Sequence, residues 1–347
     1  MKRNPLPILV LGLALALSAA LSLAAQDQVS EDRVDAWFVE LASPPTADGT
    51  SLATVQAEKR AFRAAARKAG LGYTERYAFD VLWNGLSVNV SRSEVSKLSR
   101  IAGVKAIYPV VSLALPEVTP VENPELATAL AQTGADVAQS ALGLSGAGVK
   151  VAVMDTGVDY DHPDLGGCFG AGCRVAVGHD FVGDAYNNDS TSPGYSPVPV
   201  PDNDPDDCNG HGTHVTGIVG ASGAVTGVAP GVSFGAYRVF GCAGSTSADI
   251  MIAAMERALA DGMDVLNMSI GSSFQWPQYP TAAASDRAVN QGMIVVASIG
   301  NSGANGLYSG SAPGVGKKVI GVASFDNTHL RLRYFTITPD DTKIGYL

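Results

Sequence analysis

Four polar residues stand where α/β proteins do chemistry. Asp155 closes the apolar run of VAVMDTGVDYDHPDL, Ser269 follows the run 265–268, Asn301 follows the run 293–297, and His211 lies in NGHGTHVTG. An aspartate with a histidine is the pairing of an acid–base catalyst, because an imidazole of pKa near 6.5 takes up and returns a proton around neutral pH. His211 lies between Gly210 and Gly212, where backbone approaches closely, and this suits a proton-transfer base better than core packing. Two other chemistries share these letters. Asp155-Thr156-Gly157 is also the tripeptide of aspartic proteases, but the chain holds one copy, so that mechanism requires a symmetric dimer of a small β-rich domain. His211 and His214 have a spacing that suits a metal pair, with no third ligand evident.

The elements that must position these residues read as a parallel sheet. The runs 149–154, 265–268 and 293–297 are short and apolar, and the last two follow helical stretches, which predicts an α/β, doubly wound parallel sheet. In such sheets ligands bind at the carboxyl ends of the strands, so one cleft collects Asp155, Ser269 and Asn301. A helix is predicted from His211 to about residue 220. Before this region, 33–110 alternates strand 36–41, helix 56–69, strands 73–79 and 85–90, a helix opened by Ser91 and Glu94 as a capping box, and strand 104–108. That β-α-β-β-α-β order is ferredoxin-like. Prolines 116, 120 and 124 mark 111–139 as a linker followed by a short helix, with the second domain at 140–347.

Residues 1–25, with Lys2 and Arg3 before an apolar stretch and a small-residue exit, read as a secretory signal peptide rather than a stable membrane anchor. The formal charge of -10 without a dense basic cluster argues against a nucleic-acid partner. Export permits disulfides. Four cysteines allow three pairings, of which Cys168 with Cys173 and Cys208 with Cys242 is favoured; zinc is the other reading, though only Cys208 has histidines close by. The acidic run 184–207 can hold calcium but fits no EF-hand, and a solvated loop explains it equally; no cofactor is required.

The segments around Asp155, His211 and Asn301, in this order, resemble those of the subtilisin-like serine proteases over about 146–326, and the domain before them resembles that family's inhibitory propeptide. The resemblance implies that Asp155 orients His211, that His211 takes a serine proton, and that Asn301 donates to the oxyanion. It implies that Gly244, Ser245 and Thr246 form an edge strand for an extended peptide, while Ser269, Ile270, Gly271 and Ser298, Ile299, Gly300 flank the primary specificity pocket. It also sets Cys208 near Cys242, bracing the histidine loop. Protein or peptide substrates and the chain's own propeptide are then the partners.

One part is missing. The family's serine lies in a Gly-Thr-Ser-Met-Ala-like helix start after the asparagine, and nothing in 302–347 matches it. Ser311 reads as structural, and Ser51, in Gly49-Thr50-Ser51-Leu52-Ala53, falls in the propeptide. The residues from 334 read as strand, turn and strand, like the entry into an inserted β domain. The expectation is therefore the N-terminal fragment of a secreted endopeptidase precursor whose serine lies beyond residue 347, the alternative being a non-catalytic peptide-binding relative.

Overall fold

A computed structural model describes residues 36–118, 126–324, 326–327 and 333–346; the expected signal peptide lies outside them. The first domain contains β1 (Ala36–Leu41), α1 (Leu52–Lys68), β2 (Tyr73–Phe79), β3 (Gly85–Val90), α2 (Val95–Leu98) and β4 (Val104–Pro109). Its antiparallel sheet has the order β2-β3-β1-β4. Helix α1 starts four residues earlier than its apolar pattern suggests, because the Ser51 hydroxyl accepts the Thr54 N–H at 3.1 Å and caps it. That cap is the role of Ser51, and Val55, Phe62 and Ala66 bury the stripe behind it. The capping box at Ser91 does not form. Ser91 pairs with Ser93, Glu94 turns to Lys97, and a 3₁₀ turn at Arg92–Glu94 precedes α2.

The described part of the expected linker holds more structure than its prolines suggest. It contributes β5 (Ser112–Ala114), then α3 (Leu126–Thr133) and α4 (Ala135–Ser140), separated by Gly134 at φ 75°. Beyond it come β6 (Lys150–Asp155), β7 (Val175–Asp180), α5 (His211–Gly220), β8 (Ser233–Arg238), β9 (Ser245–Ser247), α6 (Ala248–Ala260), β10 (Val265–Met268), α7 (Pro280–Asn290), β11 (Ile294–Ser298) and β12 (Ile320–Val322). Six of these strands form one sheet, β12-β11-β10-β6-β8-β7, whose pairings are all parallel. A hairpin of β13 (Arg333–Ile337) and β14 (Thr342–Tyr346) follows.

Alternation along the strands sends side chains to two unequal faces. Ala152, Met154, Leu266, Met268, Val295 and Ala297 share a core with α6 and α7. Val151, Val153 and Phe234 point the other way, into a smaller core with Val215 of α5. On that second face, in register with Val151, lie Val265 and Ile294, and farther along Val296 and Ile320. Ile294 is 52% exposed, Ile320 55% and Val322 47%, so the β11–β12 side of this face is uncovered.

Candidate active site

Strands β6, β10 and β11 lie side by side and parallel, so Asp155, Ser269 and Asn301 come off one edge of the sheet. Asp155 is the last residue of β6 and is fully buried, and α5 opens at His211. The approach of α5 to β6 explains Gly212, since a Cβ there would collide with the Gly157 carbonyl oxygen. With that contact open, His211 Nδ1 lies 2.6 Å from Asp155 Oδ1. A carboxylate only accepts, so Nδ1–H donates and Nε2 is left with a lone pair, the arrangement a base needs. Asp155 Oδ1 also accepts the Thr156 N–H at 2.8 Å, whereas its Oδ2 is buried with no hydrogen-bond partner among the described residues. The bond to Asp155 raises the pKa of His211, burial opposes it, and the charges of Asp155 and Asp207 add to the rise. The imidazole keeps 21% of its surface, so it is both held and reachable.

His214 does not join it. It lines a 420 Å³, largely apolar cavity with Leu126, Leu165 and Ile218, whereas the His211 ring faces Asp155. The four cysteines are joined as Cys168–Cys173 and Cys208–Cys242, with Cα separations of 5.6 and 5.4 Å, which leaves none for zinc. In the acidic run, Asp184 pairs with Arg238 at 2.8 Å and Asp204 accepts the Tyr160 hydroxyl at 2.6 Å, so part of its charge is used inside the fold.

The edge strand is already in use by the chain itself. β5 runs antiparallel to β9, pairing Ser112 with Ser247, Leu113 with Thr246 and Ala114 with Ser245, and the Leu115 N–H donates to the Gly244 carbonyl at 2.9 Å. Leu113 is 3% exposed, so the seat takes an aliphatic side chain. In the turns after β10 and β11, Ile270 is buried and Gly271 and Gly300 both abut Ser311, where Gly300 adopts φ 92° and a Cβ on it would strike the Ser311 hydroxyl. Ser311 itself is 1% exposed, donates its N–H to Ile299 at 3.0 Å and shares a hydroxyl contact with Ser273 at 3.2 Å, closing the space between the two turns. Ser269 accepts from Asn267 at 3.1 Å, Ser298 precedes these turns in β11, and Asn301 stands exposed past them.

Sequence reasoning missed the residues that seat the first domain on the second. Arg76 of β2 reaches the fully buried Asp249 at 2.6 Å, and Asp249 also accepts the hydroxyls of Ser87 and Ser247. Two turns further along α6, Glu256 accepts the N–H groups of Val81 and Leu82 at 3.0 and 2.8 Å. Burial pushes the Glu256 carboxyl up to about 7 against those hydrogen bonds. Phe38, Phe79, Leu82 and Trp83 join Tyr279 in one core. These pairs lie more than 160 residues apart, and no local signal announces them.

The family described as subtilases matches residues 146–342, more than half of the chain. The minor extracellular protease Vpr of Bacillus subtilis is 39% identical over 269 residues, which is 75% of this chain and 31% of that protein. Subtilisin DY of Bacillus licheniformis is 36% identical over 204 residues, 57% of this chain and 64% of that one. The chain therefore spans less than two thirds of either relative. In fold it is similar to the epidermin leader peptide processing serine protease of Staphylococcus aureus, with TM-score 0.60 and 22% identity over 84% of this chain and 70% of that one. The family match takes in every strand of the parallel sheet together with both partners of the His211–Asp155 bond, and the chain belongs to the subtilase family.

Proposed function

We propose that these residues are the front part of a secreted serine endopeptidase precursor that cleaves protein substrates and carries its own inhibitor. The observation that carries this reading is the 2.6 Å bond from His211 to Asp155 at a sheet edge whose neighbouring substrate strand holds an extended peptide. In the reaction, His211 Nε2 takes the serine hydroxyl proton as Oγ attacks the peptide carbonyl, and the carbonyl electron pair moves to oxygen, where Asn301 donates. His211 then gives its proton to the leaving amine as the C–N bond breaks, and water repeats the sequence on the acyl-enzyme. Asp155 keeps Nδ1–H pointed away from the reacting atoms and stabilises the imidazolium.

The nucleophile belongs to a segment outside residues 1–347. Support comes from the uncovered strip of Ile294, Ile320 and Val322, because all-parallel sheets have both faces covered and a helix laid there opens at the carboxyl edge. The first domain, from Ala36 on, seated on α6 and α7 with β5 paired to β9, fits the inhibitor role, and the buried Leu113 and Ile270 favour apolar substrate side chains. The leader at 1–25, the two disulfides and the extracellular relative support secretion. The test is a chain extended through its downstream coding sequence and treated with a serine-directed phosphonate. Labelling that His211→Ala abolishes is expected once the chain is cut between its two domains; a folded, cut, extended chain that takes no label overturns the proposal.

A further inference from the structure

Asp207 lies in the loop before α5, and its two oxygens serve two different elements. Oδ1 accepts the N–H groups of Asn209 and Gly210 at 2.9 Å each and the Thr156 hydroxyl at 3.0 Å. Oδ2 accepts the Thr213 N–H at 2.9 Å and the Thr213 hydroxyl at 2.6 Å. Thr156, fully buried, is the residue after Asp155, and its hydroxyl in turn accepts the N–H of Gly212, the residue after His211, at 2.8 Å. A closed ring results. It runs from Asp155 through Thr156 to Asp207 and Gly212, on to His211, and back to Asp155 through the 2.6 Å bond.

Helix starts leave their first N–H groups without intrahelical partners, and Gly210, in the left-handed region at φ 100°, gives this start no stiffness of its own. Five donors converge on Asp207, so a carboxylate fits where an amide, with two donors of its own, does not. We propose that Asp207 and Thr156 form a positioning clamp that sets His211 against Asp155 for proton transfer. The proposal rests on the reading of His211 as the base. Burial acts to raise the Asp207 pKa, but the hydrogen bonds from Gly210, Thr213 and Asn209 carry it below the usual carboxylate range. It therefore stays anionic while His211 titrates, a second negative charge behind Asp155; Asp206, which accepts the Asp207 N–H at 2.8 Å, is the next carboxylate along.

The test reads the His211 ring protons by NMR as the full chain is titrated, with His211→Asn for assignment. Thr156→Val cuts the clamp without removing charge, and the His211 midpoint is expected to fall by about half a unit or more, with Thr156→Ser restoring it. Asp207→Asn is expected to lower it further, since clamp and charge are both lost; if that variant does not fold, the near-isosteric Thr156→Val decides alone. A midpoint unchanged in folded Thr156→Val overturns the clamp. A parent midpoint that is not raised and that Asp155→Asn does not move overturns instead the base assignment beneath it.

Discussion

Asp155 and Asp249 are both fully buried and strongly bonded, and they do opposite things. Asp155, at the end of β6, faces a histidine at 2.6 Å, and one of its oxygens has no hydrogen-bond partner among the described residues. Asp249, in the first turn of α6, faces the Arg76 guanidinium at 2.6 Å and has both oxygens satisfied, by Arg76 with Ser87 and Ser247. Burial acts to lower the Arg76 pKa, but Asp249 beside it holds the guanidinium charged at every working pH. His211 can exchange its charge and keeps part of its ring exposed. Burial alone therefore does not mark a carboxylate as chemical. The partner decides: a titratable, reachable one is able to serve a proton relay, and a permanent cation gives a lock between domains.

The contrast can be broken at either end. The largest effect is expected from His211→Ala in a chain that carries its serine: a loss of about 10⁶ in kcat, the size known for subtilisins, with thermal stability near the parent's. Next comes Arg76→Met, which leaves Asp249 buried beside two hydroxyls and the Ile250 N–H with no cation and costs about 3–5 kcal/mol, read from urea denaturation of the full chain. Replacing the pair together, Arg76→Met with Asp249→Leu, is expected to recover most of that loss. No double replacement at Asp155 and His211 restores hydrolysis, and if one did, the distinction between lock and relay would fail.

The smallest effect concerns Glu256, the other carboxylate of the domain contact. Burial raises its pKa to about 7, so the seated domain binds the proton better than a separated one does. The sign follows from linkage. The contact is strongest below the ordinary glutamate range, weakens by up to about 1.4 kcal/mol per pH unit as pH rises towards 7, and levels off above that. Glu256→Gln should flatten the dependence in denaturation midpoints measured between pH 4 and pH 8. A slope unchanged by the substitution would place the pH sensitivity outside Glu256.

Much of this was legible from the chain alone where the signal was local. Strand runs such as 265–268 and the doubly wound order come from short apolar stretches between helical ones, and the observed strands agree to within a residue or so. Nearby letters misled where a competing partner existed, as at Ser91 and Glu94, whose expected cap lost to Ser93 and Lys97. Three residues among prolines carry no visible periodicity, so β5 appears only once β9 is beside it. Asp207 hid in an acidic run because its role depends on Thr156, 51 residues away. Asp249 was unreadable for the same reason, its cation lying 173 residues upstream.

The strand β5 has a kinetic consequence. Only Val110 and Val111 separate it from β4, which is fixed in the first domain, so the occupant of the β9 edge is tethered rather than free. A short tether holds its end near the site at an effective concentration on the order of millimolar. A free peptide of equal affinity at micromolar levels loses that competition, and dilution does not help it. Cutting the tether would turn the same β5–β9 contacts into an ordinary concentration-dependent equilibrium.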